Sequence, residues 1–234
     1  MIHSLNTNDL SELIALSQEA GWDHTLADWQ TLLKLGTAFG HRDESGKAIS
    51  SCVLTCFESH LVALGMLIVA SRYRGLGLGS ELMRHAVNPE NSQRLPIFLC
   101  AASAAEKFYE RFGFQTVEHQ SKLRASVGVC VGDSGFSSKV EVQVIEESAL
   151  PRVLSLDAQV SGYDRGKLIT ERFHQADRRI LLLKNGTDTL LGYGFGVLQG
   201  EQMLIGPVLA FNRFSAQEIV RALLNGHPGP VRID

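Results

Sequence analysis

The stretch "SRYRGLGLGSELMRHAV", residues 71–87, decides our prediction of the fold. Glycines alternate from Gly75 to Gly79 behind Arg72 and Arg74, and an amphipathic helical pattern follows. A helix N-terminus presents unpaired N–H groups and a partial positive charge, so it attracts phosphate. Glycines let the backbone approach an anion closely, and arginines add charge-assisted hydrogen bonds. The stretch therefore predicts either a diphosphate-binding site or a strand-to-helix turn without a ligand.

The composition is that of a folded protein with one large domain or two small ones. Of the 234 residues 44% are apolar and 20% are charged, with a formal net charge of -3. Such a charge gives no general attraction to nucleic acid or an anionic membrane, so we predict neither as a partner. No apolar run reaches the roughly 20 residues of a membrane span, and the N-terminus lacks the pattern of a signal peptide. We predict a cytoplasmic protein.

The cysteines favour reduced thiols over disulfides or a metal site, and we predict no metal. Their spacing contains no CxxC pair, and most of them lie in apolar runs. They are Cys52, Cys56, Cys100 and Cys130.

The first half predicts helices, then antiparallel strands, then alternating strands and helices. Thr7 or Asn8 is expected to cap the first helix and Thr25 the second, which Gly36 ends. Ser103 is the expected cap of a later helix, which Gly113 ends. The predicted helices are residues 7–22, 25–36, 79–87 and 103–113. The predicted strands are residues 37–43, 48–57, 60–70 and 95–101, with 114–127 completing the meander.

The second half repeats this order after a stretch rich in Gly and Ser, "CVGDSGFSSK". We predict strands in 140–147, 178–210 and 229–234, and helices in 148–159, 164–175 and 215–226. The repetition indicates an internal duplication and a mixed α/β fold, with mostly antiparallel sheets flanked by helices. The predicted organisation is a domain of residues 1–129, a linker of 130–139, and a shortened domain of 140–234.

Two nucleotide-binding interpretations of the glycine loop fit poorly. A P-loop needs Gly-Lys-Ser/Thr after the glycines, whereas Ser80 and Glu81 follow Gly79. A dinucleotide fingerprint needs GxGxxG in a parallel unit with an acidic residue after the next strand, and neither is found.

The loop instead resembles that of the GNAT family of N-acetyltransferases, which bind acetyl-CoA. The pattern Arg74-x-x-Gly77-x-Gly79 follows an apolar strand ending at Val69, and "AEKFYERFGF" (105–114) resembles the family's tyrosine-bearing helix end. The segments "AGW" and "DW", at 20–22 and 28–29, resemble a branch with a second, degenerate GNAT-like domain. Many members carry Asn at the position of Ala102, so contacts of that amide are not carried over.

This resemblance implies transfer of acetyl from acetyl-CoA to a primary amine of a small molecule or peptide, by direct attack in a ternary complex. Tyr109 matches the tyrosine that protonates the departing thiolate. Backbone N–H groups of Leu67, Ile68 and Val69 are expected at the thioester carbonyl. The remaining residues expected at the cofactor are Arg72, Arg74, Gly75, Leu76, Gly77, Leu78, Gly79, Ser80 and Ser103. The alternative function is a non-catalytic acyl-CoA sensor or regulatory protein.

The residue that deprotonates the amine is left unassigned. Glu58 and His60 precede an apolar strand, and Asp23 and His24 adjoin a predicted turn. Each is either the base or a solvated loop residue.

The second half has lost the glycines of the first. The segment "FNRFSA", residues 211–216, stands where the glycine loop would, so we expect no second cofactor site. No counterpart of the Tyr109 helix precedes Asp234, and we expect this half to be short by nature or by truncation. In "SGYDRGKL", Asp164 and Arg165 either contact the acceptor or the domain interface, or cap a helix with Arg165 solvated. An exposed edge strand suggests a homodimer as a hypothesis.

Overall fold

The computed structural model describes residues 1–58, 60–126 and 137–233, and it contains two compact units. The first unit is Met1–Glu118 and the second is His119–Asp234. The division lies before the predicted boundary at residue 129, because a strand at 123–125 belongs to the second sheet. Residues 130–136 of the predicted linker, with Cys130, lie outside the described residues.

The first unit is a five-stranded mixed sheet in the order β1-β2-β3-β4-β5. Neighbouring strands are antiparallel except β4 and β5, which are parallel. Its strands are β1 (Ile2–Leu5), β2 (Thr37–His41), β3 (Ser50–Phe57), β4 (Leu61–Val69) and β5 (Ile97–Phe98). Its helices are α1 (Leu10–Glu19), α2 (Leu26–Leu35), α3 (Leu78–Val87) and α4 (Glu106–Glu110).

Apolar clusters cover both faces of this sheet. On one face Leu13 and Trp29, from α1 and α2, pack with Met66 and Ile68 of β4. On the other, Leu82 and neighbouring residues of α3 pack with Leu64, and the aromatic residues of α4 cover the cluster. Burial of these side chains is what holds the helices on the sheet.

The helix ends correct two of the sequence predictions. Asn6, not Thr7 or Asn8, caps the first turn, because its side chain accepts the Asn8 N–H and Asp9 bonds back to Asn6. Ser103 caps no helix: a short 3-10 helix spans Ser103–Ala105, and α4 begins at Glu106 without a side-chain cap.

The caps predicted at both ends of α2 are confirmed. Thr25 forms a capping box with Asp28, and α2 stops before Gly36. The helix α4 ends earlier than predicted, with Arg111 as its C-cap, and Gly113, with φ of +85°, lies in the turn beyond it and donates its N–H to the carbonyl of Glu110.

The second unit is a six-stranded sheet in the order β6-β11-β10-β9-β8-β7. Its strands are β6 (Leu123–Ala125), β7 (Val140–Val144), β8 (Arg178–Lys184), β9 (Leu190–Gln199), β10 (Gln202–Ala210) and β11 (Val231–Ile233). Its helices are α5 (Leu150–Ser161), α6 (Gly166–Gln175) and α7 (Arg213–Leu224). Turns at Gly186 and Gly200, both at positive φ, separate the central strands.

The expectation that residues 114–127 complete the first meander is wrong. Of the described residues 114–126, only Leu123–Ala125 form a strand, and β6 pairs antiparallel with β11 of the second sheet. The pairing gives β11 hydrogen-bonding neighbours on both sides, which an edge position would not.

The predicted duplication is visible in how each unit ends its sheet. Val62 donates its N–H to the carbonyl of Pro96, and Met203 donates to Pro230 in the same way, both at 2.9 Å. In each unit a long strand first pairs in parallel with a short strand and then carries an irregularity farther along. Both halves therefore have the same architecture.

Among the described residues, no helix is both long and apolar enough to cross a membrane.

Candidate functional site

Strand β4 of the first unit turns its buried side chains to the opposite face of the sheet at Met66. Val62 and Leu64 belong to the cluster under α3, whereas Met66 and Ile68 belong to the cluster under α1 and α2. Strict alternation would put Met66 with Leu64, but Met66 has φ of +51° and the register with β3 shifts here. The Ser51 hydroxyl donates to the Met66 carbonyl at 2.8 Å, which stabilises this β-bulge.

Beyond the bulge, β4 has an open edge. The β5 strand pairs only with Val62 and Ala63, so the rest of β4 lacks a described strand on that side. The N–H of Ala70 donates to Ile49 across from β4, so by alternation the N–H of Ile68 also points toward β3. The N–H groups of Leu67 and Val69 point the other way, to the open edge.

The glycine loop leads from this edge into α3. A short 3-10 helix, Ser71–Tyr73, follows β4, and Gly75 and Gly77 both have φ of +80°. Apart from the adjoining residues, no heavy atom of the described part of the chain lies within 4 Å of where a Cβ of either glycine would be, so their backbone is exposed. Gly77 is the N-cap of α3.

The start of α3 presents unpaired donors beside the loop. The N–H of Glu81 donates to the carbonyl of Gly77 at 3.0 Å, forming the first turn. The N–H groups of Leu78, Gly79 and Ser80 therefore have no acceptor within the helix. With the helix dipole, they form a positive site suited to an anion.

Both arginines of the loop contact the protein. Arg74 donates from Nε to the carbonyl of Val69 at 3.0 Å, and its backbone N–H donates to Ser71 at 3.2 Å. Arg72 lies 3.3 Å from the Asp43 carboxylate, and its guanidinium lies over the Tyr73 ring. Their side chains remain exposed, but their observed hydrogen bonds fix the loop to the sheet and its neighbours.

Two acidic residues at the loop were not found from the sequence. Glu19, at the end of α1, accepts the N–H of Ser71 at 2.7 Å, and hydrogen bonding from the side chain and then the backbone of Ser71 lowers the pKa of Glu19. Asp43 accepts from Ser45 and contacts Arg72, and these interactions lower its pKa. Both lie far from the loop along the chain, so no local pattern could indicate them.

Tyr109 lies on α4, half-buried against the cluster that includes Cys52 and Leu67. Its ring packs edge-on against Phe108 and Phe114, with centroids 5.3 and 6.0 Å away. Burial raises the pKa of the Tyr109 hydroxyl, and the nearby Cys52 thiol adds to the shift. The phenol therefore keeps its proton.

Phe108 joins the Tyr109 helix to the glycine loop. Its ring lies 3.8 Å from the place of a Cβ on Gly79, and the same place is 3.8 Å from Val69. The end of β4, the start of α3 and α4 thus meet at one place. Ser103 and Ala102 are exposed at the turn before α4.

The four candidate bases lie in two places. Glu58 and His60 are exposed in the turn before β4, at the end remote from the glycine loop. Asp23 is exposed and His24 half-buried after α1, with the Trp22 and His24 rings 5.9 Å apart. Within residues 1–58, 60–126 and 137–233, no three His, Cys, Asp or Glu side chains are grouped as metal ligands.

The loop before α7 in the second unit, which corresponds to the glycine loop before α3, has a different structure. Asn212 caps α7 by accepting the N–H of Ser215 at 2.9 Å, which occupies one first-turn donor. Phe211 and Phe214 are exposed beside it. No glycine exposes the backbone in this loop.

The expectation of a solvated Arg165 is wrong. Its guanidinium makes two hydrogen bonds to the buried carboxylate of Asp157, at 2.7 and 2.9 Å. The buried hydroxyl of Tyr193 donates to the same carboxylate. Asp164 accepts the N–H of Gly166, the first residue of α6, but the N-cap of that helix is Arg165, which forms no side-chain cap.

Comparisons with known proteins find the same type of domain in each half. Profiles described as an acetyltransferase (GNAT) domain match residues 36–116 and, separately, residues 153–234. Together they span most of both described sheets. The first match contains the glycine loop and Tyr109.

Comparisons over the whole chain agree with a GNAT domain in each half. YitH of Bacillus subtilis (strain 168), an uncharacterised N-acetyltransferase, is 28% identical over 98% of this chain and 80% of its own length. A structure from Pyrococcus horikoshii, described as an acetyltransferase, covers the whole chain and 79% of that protein, with TM-score 0.74 and 16% identity. A tandem GNAT protein from the clavulanic acid biosynthesis pathway covers the whole chain and 89% of itself, with TM-score 0.68 and 12% identity. At these identities the structures show the fold.

Proposed function

The chain belongs to the GNAT acetyltransferase family, and we propose that its first unit transfers acetyl from acetyl-CoA to a primary amine of a small molecule or peptide. The observation that carries this proposal is the open edge of β4 running directly into the unpaired N–H groups of α3. An elongated ligand with a carbonyl at one end and a diphosphate at the other matches that order of donors.

The residues of the loop fit a diphosphate. Gly75 and Gly77 leave the backbone uncovered, and the N–H groups of Leu78, Gly79 and Ser80 are available. Arg72 and Arg74 add positive charge nearby, although their observed hydrogen bonds are to the protein. In this proposal the backbone binds the diphosphate, and the arginines brace the loop and supply charge.

The open edge of β4 fits the thioester. The N–H groups of Leu67 and Val69 point to this edge, and either can donate to the thioester carbonyl oxygen. As the amine attacks the carbonyl carbon, negative charge grows on that oxygen, and a fixed donor stabilises it. We assign this role to these two groups and not to Ile68, whose N–H faces β3.

Tyr109 is the proposed general acid. When the amine nitrogen bonds to the carbonyl carbon and the carbon–sulfur bond breaks, the sulfur takes up a proton from the Tyr109 hydroxyl. A pKa raised by burial keeps that proton in place until the thiolate forms. The amine gives up a proton to water or to a base that we leave unassigned, and solvent restores the phenol.

The test is a calorimetric titration of the whole chain with acetyl-CoA, followed by an assay of CoA thiol release over a panel of amines. Binding with turnover of an amine supports the enzyme. Tight binding without turnover favours the acyl-CoA sensor. No binding would overturn the assignment of the glycine loop.

A further inference from the structure

A buried histidine lies directly beneath the first turn of α3. His41 ends β2 and is 3% exposed, and Ser50 begins β3 beside it and is fully buried. The Ser50 oxygen accepts the backbone N–H of His41 at 2.8 Å, and it lies 2.8 Å from Nδ1 of the same ring.

The other ring nitrogen of His41 faces Glu81, in the first turn of α3. Its Nε2 lies 3.1 Å from Glu81 Oε2, off the direct line of a hydrogen bond, so the attraction is mainly electrostatic. The Glu81 carboxylate is about half exposed, at 46%. No described residue hydrogen-bonds to Nε2.

These contacts set which nitrogen carries the proton. The Ser50 oxygen accepts the backbone N–H, and its own hydrogen is free to point at Nδ1. With the Ser50 hydroxyl as donor to Nδ1, the ring proton resides on Nε2, which lies 3.1 Å from Glu81 Oε2. The partial positive charge of that N–H attracts the carboxylate without a hydrogen bond.

The contact between His41 and Glu81 bears on the proposed diphosphate site because Glu81 lies in the first turn of α3. A carboxylate in the first turn of a helix is drawn to the unpaired N–H groups there. In α3 these are the same groups that the proposed function assigns to the diphosphate, which a nearby carboxylate also repels. With its side chain half exposed, Glu81 can turn toward them unless something holds it.

We propose that His41 is a positioning residue that holds the Glu81 carboxylate against the sheet and so keeps the first turn of α3 available to the diphosphate of acetyl-CoA. The proposal rests on the proposed function. It differs from simple core packing, because it acts through the charge of Glu81.

The test is a double-mutant cycle with acetyl-CoA as the titrant. His41→Asn removes Nε2 but retains an amide able to bond Ser50, and we expect its Kd for acetyl-CoA to rise about fivefold. Glu81→Gln alone should bind as tightly as wild type or more tightly. In the double variant the loss should disappear, because no carboxylate remains to be held.

The matched control combines His41→Asn with Glu90→Gln, which neutralises an exposed carboxylate just beyond α3. This double variant should bind acetyl-CoA as weakly as His41→Asn alone does. In turnover, His41→Asn should raise the KM for acetyl-CoA and leave kcat unchanged. His41→Leu, which also removes Nε2, replaces it if the Asn variant does not fold.

The outcomes separate the two proposals. A wild-type chain that does not bind acetyl-CoA overturns the proposed function and this inference with it. If wild type binds, an unchanged Kd in a folded His41 variant overturns the inference alone. So does a loss that Glu81→Gln fails to reverse.

Discussion

Arg74 donates a hydrogen bond from Nε to the carbonyl oxygen of Val69 across 3.0 Å, so the loop is tied back to the last residue of β4. The sequence motif predicts that Arg74 contacts the ligand, whereas in the structure its side chain holds the loop against the end of β4. The bond fixes the loop in the conformation that exposes Gly75 and Gly77.

Arg74→Ala should weaken binding of acetyl-CoA about fivefold, because it removes the bond to Val69 and a nearby positive charge. Arg74→Lys should recover only part, since a lysine lacks the Nε donor. Calorimetry gives both affinities. Arg84→Ala, on an exposed position of α3, is the control and should bind as wild type does.

Gly77→Asp should abolish measurable binding of acetyl-CoA, because it places a carboxylate where the diphosphate would be. Gly77 has φ of +80° with open space around it, and Asp tolerates that conformation, so the chain should still fold. Gly186→Asp carries the same kind of strain, at φ of +70°, in a turn of the second unit. Loss of binding in both variants, or in neither, would contradict the prediction.

Tyr109→Phe should lower kcat about 100-fold while the Kd for acetyl-CoA stays the same. The ring still packs against Phe108 and Phe114, so only the proton donor is lost. Tyr73→Phe, in the loop, is the matched control and should retain turnover. A Phe variant of Tyr109 with normal kcat would require another acid.

The pH dependence follows from the direction of the Tyr109 shift. Burial raises its pKa above the ordinary 10.0, so the phenol stays protonated as the pH rises to that value. The proposed acid should therefore cause no fall in kcat below about pH 10. Rate profiles of wild type and Tyr109→Phe test this. A decline near pH 9 that only wild type shows would count against the assignment.

Arg165→Met should lower the free energy of unfolding of the second unit by about 3 kcal/mol, because Asp157 would remain buried without its cation. Adding Asp157→Asn should recover part of the loss, since the buried charge is then removed. Denaturant unfolding measures both. Arg213→Met changes an exposed arginine of α7 and should have little effect.

Local patterns predicted the order of the elements well. Periodicity and capping residues such as Thr25 act over a few positions, so the sequence shows them directly. The strand β1 escaped notice because it has only 4 residues, of which only Leu5 is buried. The partner of β6 could not be predicted, because it pairs with β11 at the far end of the chain.

In the candidate site, too, some residues are visible in the local sequence and others depend on contacts between distant segments. The glycines and Tyr109 belong to a motif whose spacing is visible in the sequence. The contacts of Glu19 with Ser71 and of His41 with Glu81 depend on how separate segments fold together. The bulge at Met66 decides which N–H groups reach the open edge, yet a methionine at positive φ has no sequence signature.

The pairing of β6 with β11 bears on how this chain can be divided for expression. A fragment that begins at residue 140 omits β6, so β11 would present a bare edge to other molecules. A fragment that begins at His119 retains the strand. The first unit, cut after Glu118, loses nothing from its own sheet.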